Sequence, residues 1–173
     1  MKILKSVLIV LGSLVILFVI AFGIFLLVNK QGVIESFEIS SPDVEQKVLI
    51  ASQGSKFKNA LVESLTLYLK KKAVYIKVID VTTLHEVNEE EWDAMVIIHT
   101  TEKWELQPDV KKYIDRAENL NKVIFVTTSG SGEWKTKDYD IDVITSASKN
   151  GELHLLPGEI VARLDSILSQ KPE

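Results

Sequence analysis

The sequence predicts an α/β domain of three layers, carried behind one N-terminal transmembrane helix. Three observations predict it. An apolar run from Val7 to Val28 contains no charge. Beyond it, short apolar runs alternate with segments whose apolar residues recur at helical spacing. The apolar runs end in small, polar loops. Strands that alternate with helices pair in parallel through right-handed crossovers, with helices on both faces of the sheet.

A helix of about 22 residues is roughly 33 Å long, enough to cross a bilayer core of about 30 Å. Signal peptides carry shorter apolar segments, about 7–15 residues, so an uncleaved signal anchor is expected. A small-residue site stands at Ala21-Phe22-Gly23, but Ile24 to Val28 continues the run past it. The chain has no cysteine, which excludes a lipidated N-terminal cysteine. Lys2 and Lys5 precede the run, and Lys30 after it is soon answered by Glu35, Glu38, Asp43 and Glu45. That bias puts the amino terminus in the cytoplasm and the remainder outside the cytoplasmic membrane. The expected organisation is an anchor over 1–29, a stalk over 30–46 ending in a short edge strand, and a domain over 47–170. The lipid bilayer is one partner. A net charge of −4 argues against nucleic acid as another.

Within the domain, Val48-Leu49-Ile50-Ala51 reads as a strand buried on both faces. Leu61, Leu65, Tyr68 and Leu69 follow at helical spacing, with Lys70-Lys71-Lys72 where cations suit the helix dipole. Val74 to Val81 is the second strand, and His85 to Glu91 carries a turn or short helix. Asp93 to His99 is the third strand, and Trp92 before it reads as packing. Pro108 opens a helix with Val110, Tyr113, Ile114 and Ala117 on its apolar face. Lys122 to Thr127 and Ile141 to Thr145 are the fourth and fifth strands. Pro157 opens a final helix whose buried face is Ile160, Val161, Leu164, Ile167 and Leu168. Ligands of such sheets bind outside the carboxyl ends of the strands, at the switch in strand order.

The loops at those ends resemble the flavodoxin-like family over roughly residues 47–170. Ser52-Gln53-Gly54-Ser55 stands where the family has a Ser/Thr/Gly-rich phosphate loop. Trp92-Asp93-Ala94 and the apolar run after it are similar to the family's Tyr-Asp-Ala-hydrophobic strand, which here ends in His99-Thr100-Thr101. Trp104 and Pro108 sit where the family has a flavin-stacking aromatic and a helix-opening proline. Thr127-Thr128-Ser129-Gly130-Ser131-Gly132 resembles the Thr/Gly-rich loop after the fourth strand, and Trp134 beyond it is placed to form a second wall. The five strands read above make a five-stranded parallel sheet, and the resemblance implies FMN as cofactor, electron transfer to a redox partner protein, and no catalytic side chain. The implied cofactor contacts are Ser52, Gly54, Ser55, Lys56, Thr100, Thr101, Trp104, Thr128, Ser129, Gly130, Ser131, Gly132 and Trp134.

The family's phosphate loop is Thr-Gly-x-Thr, and here Lys56 replaces the closing threonine. Lys56 pairs with a phosphate or is a solvated lysine; the sequence leaves both open. His99 stands where the family has a small residue, and reads as a hydrogen-bonded structural histidine. The stretch Asp142-Val143-Ile144-Thr145-Ser146-Ala147-Ser148 is similar to the Asp-x-x-Ser/Thr-Gly-Ala-Thr/Ser signature of exported flavinylated proteins. There a flavin transferase joins FMN to the final hydroxyl, which implies Ser148 as an attachment point, although Ser146 replaces the signature glycine. No nucleophile elbow, Walker motif or metal-ligand spacing is present. Two functions remain: a membrane-anchored flavin protein, or a cofactor-free module of the same fold that binds a partner protein.

Overall fold

The structure is a computed structural model that describes residues 2–28, 31–40 and 46–170. Asn29, Lys30 and the 41–45 part of the expected stalk, with Asp43 and Glu45, lie outside the described residues. The chain divides into two compact units, Met1–Gln31 and Gly32–Glu173.

The first unit is one helix, α1 (Lys2–Val28). Its Lys5–Ile24 stretch is long and apolar enough to cross a membrane, and none of it is covered by protein. Ser13 returns its hydroxyl to the Val10 carbonyl at 2.8 Å, which satisfies a polar group inside the helix.

The second unit is an α/β domain. In chain order it holds β1 (Gly32–Val33), β2 (Phe37–Ile39), β3 (Gln46–Gly54), α2 (Lys56–Leu69), β4 (Val74–Asp80), β5 (Ala94–Thr100), α3 (Pro108–Arg116), β6 (Val123–Thr128), β7 (Val143–Ser146) and α4 (Leu156–Ser169). The parallel strands lie in the order β4-β3-β5-β6-β7. Numbered as parallel strands this is 2-1-3-4-5, the flavodoxin-like order, with its switch point where β3 meets β5.

Burial alternates along each strand and fills both faces. Val48, Ile50, Ile76, Val78, Val96 and Val126 pack under α2 and α4. Leu49, Ala51, Met95, Ile97 and Phe125 pack under α3 and the turn Val81–Glu86. Trp92 is buried and stacks on Tyr75 with ring centroids 6.0 Å apart, which is the packing role its position predicts. Gln107 caps α3 by accepting from the Asp109 and Val110 amides, and Pro108 opens that helix. In α4, Ile160 and Leu164 are fully buried, while Val161, Ile167 and Leu168 are partly so.

Two expectations are corrected. The sheet has seven strands rather than five, because β1 and β2 add to the parallel core. Both pair antiparallel, β1 with the end of β3 and β2 with the free edge of β4. The stretch expected as a stalk therefore supplies two strands, closing an edge that would otherwise present unpaired backbone groups. Between β4 and β5 stand two 3-10 turns, Val81–Glu86 and Glu89–Glu91, where a turn or short helix is expected.

Gly54 explains why β1 fits. A Cβ placed on it would stand 2.6 Å from the Val33 carbonyl oxygen. Ile34 is then buried, with its amide donating to Asp80 Oδ2 at 3.0 Å. Gly54→Ala is expected to cost about 1–3 kcal/mol, the usual cost of overpacking, in urea unfolding. A fragment beginning at residue 31 is expected to be more stable than one beginning at 46, by at least the roughly 1.5–3 kcal/mol of one buried isoleucine. Equal midpoints for the two fragments would show that β1 and β2 contribute nothing.

Candidate functional site

At the carboxyl end of β3 the chain passes into α2 through one residue, Ser55. Its backbone is extended (φ −159°, ψ 162°), and its hydroxyl oxygen accepts from the Lys58 amide at 3.2 Å, a helix N-cap. Ser52 is fully buried and donates to the Gln53 carbonyl at 2.9 Å. Gly54 is covered by β1. Lys56 is exposed at the start of α2. The residues that the resemblance assigns to phosphate are thus a buried hydroxyl, a packed glycine, a capping serine and a surface lysine.

The buried lysine is Lys58, 1% exposed and two residues further on. Its Nζ donates to Thr100 Oγ1 at 2.5 Å, and Thr100 Oγ1 lies 2.7 Å from Thr128 Oγ1. Thr128 Oγ1 donates in turn to the His99 carbonyl at 3.2 Å. Gln53 Oε1 accepts from the Thr100 amide at 2.7 Å. This chain ties α2, β3, β5 and β6 together at the switch point. Burial lowers the Lys58 pKa to about 8. His99 is fully buried, and its Nε2 lies 2.9 Å from Thr127 Oγ1. Its Nδ1 finds no hydrogen-bond partner among the described residues. Burial, reinforced by the Lys58 charge, lowers the His99 pKa to about 4, so the ring is neutral at pH 7.

Beyond β5, Glu102 and Glu105 exchange backbone hydrogen bonds of 3.0 Å and close a two-residue hairpin. Its central residues, Lys103 (φ 53°) and Trp104 (φ 67°), both lie in the left-handed region, where such hairpins ordinarily place Asn or Gly. Trp104 stands 80% exposed at the tip. Its carbonyl accepts from Trp134 Nε1 at 3.1 Å, so the two tryptophans predicted to face each other belong to joined loops. They line a cleft of about 320 Å³ with Leu106, Lys111, Lys137 and Tyr139. The Tyr139 hydroxyl donates to Asp115 of α3, which pins the far side and pushes the phenol up to about 12. Gln53 Nε2, 3.4 Å from Glu102 Oε1, joins the base of the hairpin to the end of β3.

The loop after β6 turns its donors inward. The Ser129 amide donates to the Ser146 carbonyl at 3.0 Å, and Ser129 Oγ accepts from the Gly132 amide at 3.0 Å. The Thr101 amide donates to the Thr128 carbonyl at 3.0 Å. Ser131 Oγ accepts from the Glu133 amide at 3.3 Å, and Gly130 is exposed. Gly132 (φ 75°) lies so close to the end of β7 that a Cβ there would be 2.7 Å from the Ala147 nitrogen. Ser146 donates to the Glu152 carboxylate, which also accepts the Ala147 amide at 3.0 Å. Ser148 is half-buried in the left-handed region (φ 58°), its amide donating to Ser146 Oγ at 3.0 Å.

The structure therefore joins Thr100 to Thr128, Trp104 to Trp134, and the Ser129–Gly132 loop to the Ser146–Ser148 end. For FMN the fit divides. The tryptophan cleft offers a wall for a flat ring, whereas at the β3–α2 connection Gln53 and Gly54 pair with β1 and Ser55 caps α2. Lys58 and Glu152 are the polar groups that reading the sequence missed, while Gln53 and Thr127 stand inside the loops it singled out. Lys58 carried a signal: it precedes Leu61 by three and Leu65 by seven positions, on the apolar face of α2.

No family model matches the chain, and no curated protein matches it. Among solved structures it is similar to a flavodoxin from the domain Archaea, with 14% identity over 70% of this chain and 99% of that one, at a TM-score of 0.47. It is also similar to a Streptococcus pneumonia TIGR4 flavodoxin, with 14% identity over 69% of this chain and 97% of that one, at a TM-score of 0.43. The flavodoxin-like fold of this domain is read directly from its strand order.

The buried His99 and Lys58 set a pH dependence of stability. Between pH 6.5, the ordinary histidine value, and about 4 the unfolded chain binds more protons than the folded one. Stability is expected to fall as pH drops through that window, by up to about 1.4 kcal/mol per unit. Between about 8 and the ordinary lysine value of 10.5 the unfolded chain again binds more protons, so the Lys58 contribution makes stability rise with pH. Urea unfolding of residues 31–173 across pH measures both. Lys58→Met should abolish the alkaline rise and His99→Gln the acidic fall; unchanged profiles would contradict their burial.

Proposed function

We propose that the protein is a single-pass membrane protein whose flavodoxin-like domain works without flavin, as a tethered module that binds a partner protein. The amino terminus lies in the cytoplasm and the domain outside the cytoplasmic membrane. What supports the absence of flavin is one observation: β3 enters α2 through Ser55 alone, with β1 laid over Gly54 and Ser55 already capping the helix. Phosphate binding at a helix N-terminus needs exposed amides and a surrounding loop. The Lys58 amide is occupied, and the Lys58 side chain is turned inward to Thr100. What supports the topology is the lysine flank before an apolar helix that protein does not cover.

One observation favours a second reading, in which the domain is an FMN-binding electron carrier. The Trp104–Trp134 cleft is a wall on which an isoalloxazine ring can stack, a contact worth about 0.5–1.5 kcal/mol beyond burial. The ring would lie there with Thr100, Thr101, Thr128 and the Ser129–Gly132 loop beside it, and Ser148 would be the point of covalent attachment.

Titration of FMN with the full chain in detergent separates the two. The flavin-free reading expects no saturable quenching of FMN fluorescence. Saturable quenching that Trp104→Ala relieves would establish the flavin site instead. Intact mass after co-expression with a flavin transferase reads out Ser148: an FMN adduct that disappears in Ser148→Ala would equally overturn the flavin-free reading. For topology, a single cysteine at Ser131 is expected to react with a membrane-impermeant thiol reagent in intact cells, or in spheroplasts where an outer membrane exists. Labelling only after lysis would reverse the orientation.

A further inference from the structure

The chain contains a single Asn-Gly pair, Asn150-Gly151, just beyond β7. Both residues are exposed, at the start of the turn Asn150–His154. Lys149 before that turn supplies no side-chain cap. The first backbone bond of the turn runs from the Glu152 amide to the Lys149 carbonyl at 2.9 Å, which leaves the Gly151 amide ahead of it as an orphan donor. The Asn150 carboxamide has no hydrogen-bond partner among the described residues. Beyond its own turn, no atom lies within 4 Å of the place a Cβ on Gly151 would take. Neither a partner nor a packed neighbour holds the pair, and glycine presents its nitrogen with the least hindrance.

The other described asparagines lack one or more of these features. Asn88 and Asn119 cap turns, their side-chain oxygens accepting from the Glu90 amide at 3.2 Å and the Asn121 amide at 3.0 Å. Asn59 lies within α2. Asn121 is exposed, but Lys122 follows it, and its side chain crowds the amide. The surroundings of Asn150 give the pair a consequence. Glu152, two residues on, holds the end of β7 by accepting from the Ser146 hydroxyl and from the Ala147 amide at 3.0 Å. Leu153 packs against the core under α2 and α4. Asn150-Gly151 is thus the loose front of a turn whose middle is fastened to the sheet.

We infer that Asn150 is a site of self-modification, at which its carboxamide becomes a carboxylate without an enzyme. The Gly151 nitrogen attacks Asn150 Cγ and closes a cyclic imide. The carboxamide nitrogen leaves as ammonia, taking the proton that the Gly151 nitrogen loses. Water then opens the imide at either carbonyl, giving aspartate or isoaspartate, with no oxidation or reduction. The attack needs rotation of the backbone at Asn150, which opens the bond from Glu152 to Lys149. Aspartate places a second negative charge beside the Glu152 carboxylate. Isoaspartate routes the backbone through the former side chain and lengthens the turn. Both products loosen the hold of Glu152 on Ser146 and Ala147, and so the end of β7 and the Ser148 loop. The conversion runs one way, so it marks the age of the molecule. It stands under either reading of the ligand site.

Full-length protein in detergent is kept warm at neutral pH, sampled at intervals, digested with pepsin in acid and mapped by mass spectrometry. The peptide holding Asn150 should gain the mass difference of amide to acid several-fold faster than peptides holding Asn59, Asn88, Asn119 or Asn121. It should also split into two isomers of equal mass. Gly151→Ala has room for its methyl group and no left-handed backbone to strain, so it should fold as the parent does and convert many-fold more slowly. Hydrogen exchange over residues 143–148 should be several-fold faster in converted protein than in fresh protein. Conversion at Asn150 no faster than at Asn121, or undiminished in Gly151→Ala, would overturn the site. Equal exchange over 143–148 in fresh and converted protein would overturn its effect on β7.

Discussion

Where β1 crosses the end of β3, the Val33 carbonyl oxygen stands 2.6 Å from the place a Cβ on Gly54 would take. Backbone passes over backbone there only because residue 54 has no side chain. The consequences spread outward. Ile34 turns into the core beside α2, and its amide reaches Asp80 at the end of β4. β2 then runs back along β4. α2 begins immediately after Ser55.

Behind that closure lies a run of polar groups that satisfy one another. Lys58, Thr100 and Thr128 form a directed series of hydrogen bonds ending on the His99 carbonyl. A buried ammonium is costly, and its lowered pKa measures the cost. What the lysine supplies is a link from a helix to two strands at the point where the strand order reverses. His99, neutral and bonded through one nitrogen, adds rigidity rather than proton chemistry. The aromatic hairpin is tied to this network where Gln53 bonds both the Thr100 amide and Glu102, so its turn presents Trp104 on a firm base.

The parallel core was legible because each strand is buried on both faces and reads as a continuous apolar run. Trp92 as packing, Pro108 and Pro157 as helix openers and the paired tryptophan loops also follow from local chemistry. β1 and β2 were not legible as parts of the sheet: strands of two and three residues carry no period, and both depend on edges formed elsewhere in the chain. The expected phosphate contacts illustrate another limit. Ser52, Gly54 and Ser55 have the right chemistry, but sequence spacing cannot reveal that a backbone segment from upstream covers Gly54. Lys58 was legible in principle, since a lysine on an apolar helical face must be explained by a buried partner.

The fold thus retains the strand order of a ligand-binding scaffold, while β1 lies over Gly54 and Ser55 caps α2 at the end of β3. Trp104, at the tip of the hairpin after β5, stands exposed beside that end. The most direct test of a closed cradle is the visible absorption spectrum of the full-length protein purified from its native host. A spectrum without flavin bands is the predicted result. Flavin bands in stoichiometric amount would contradict it.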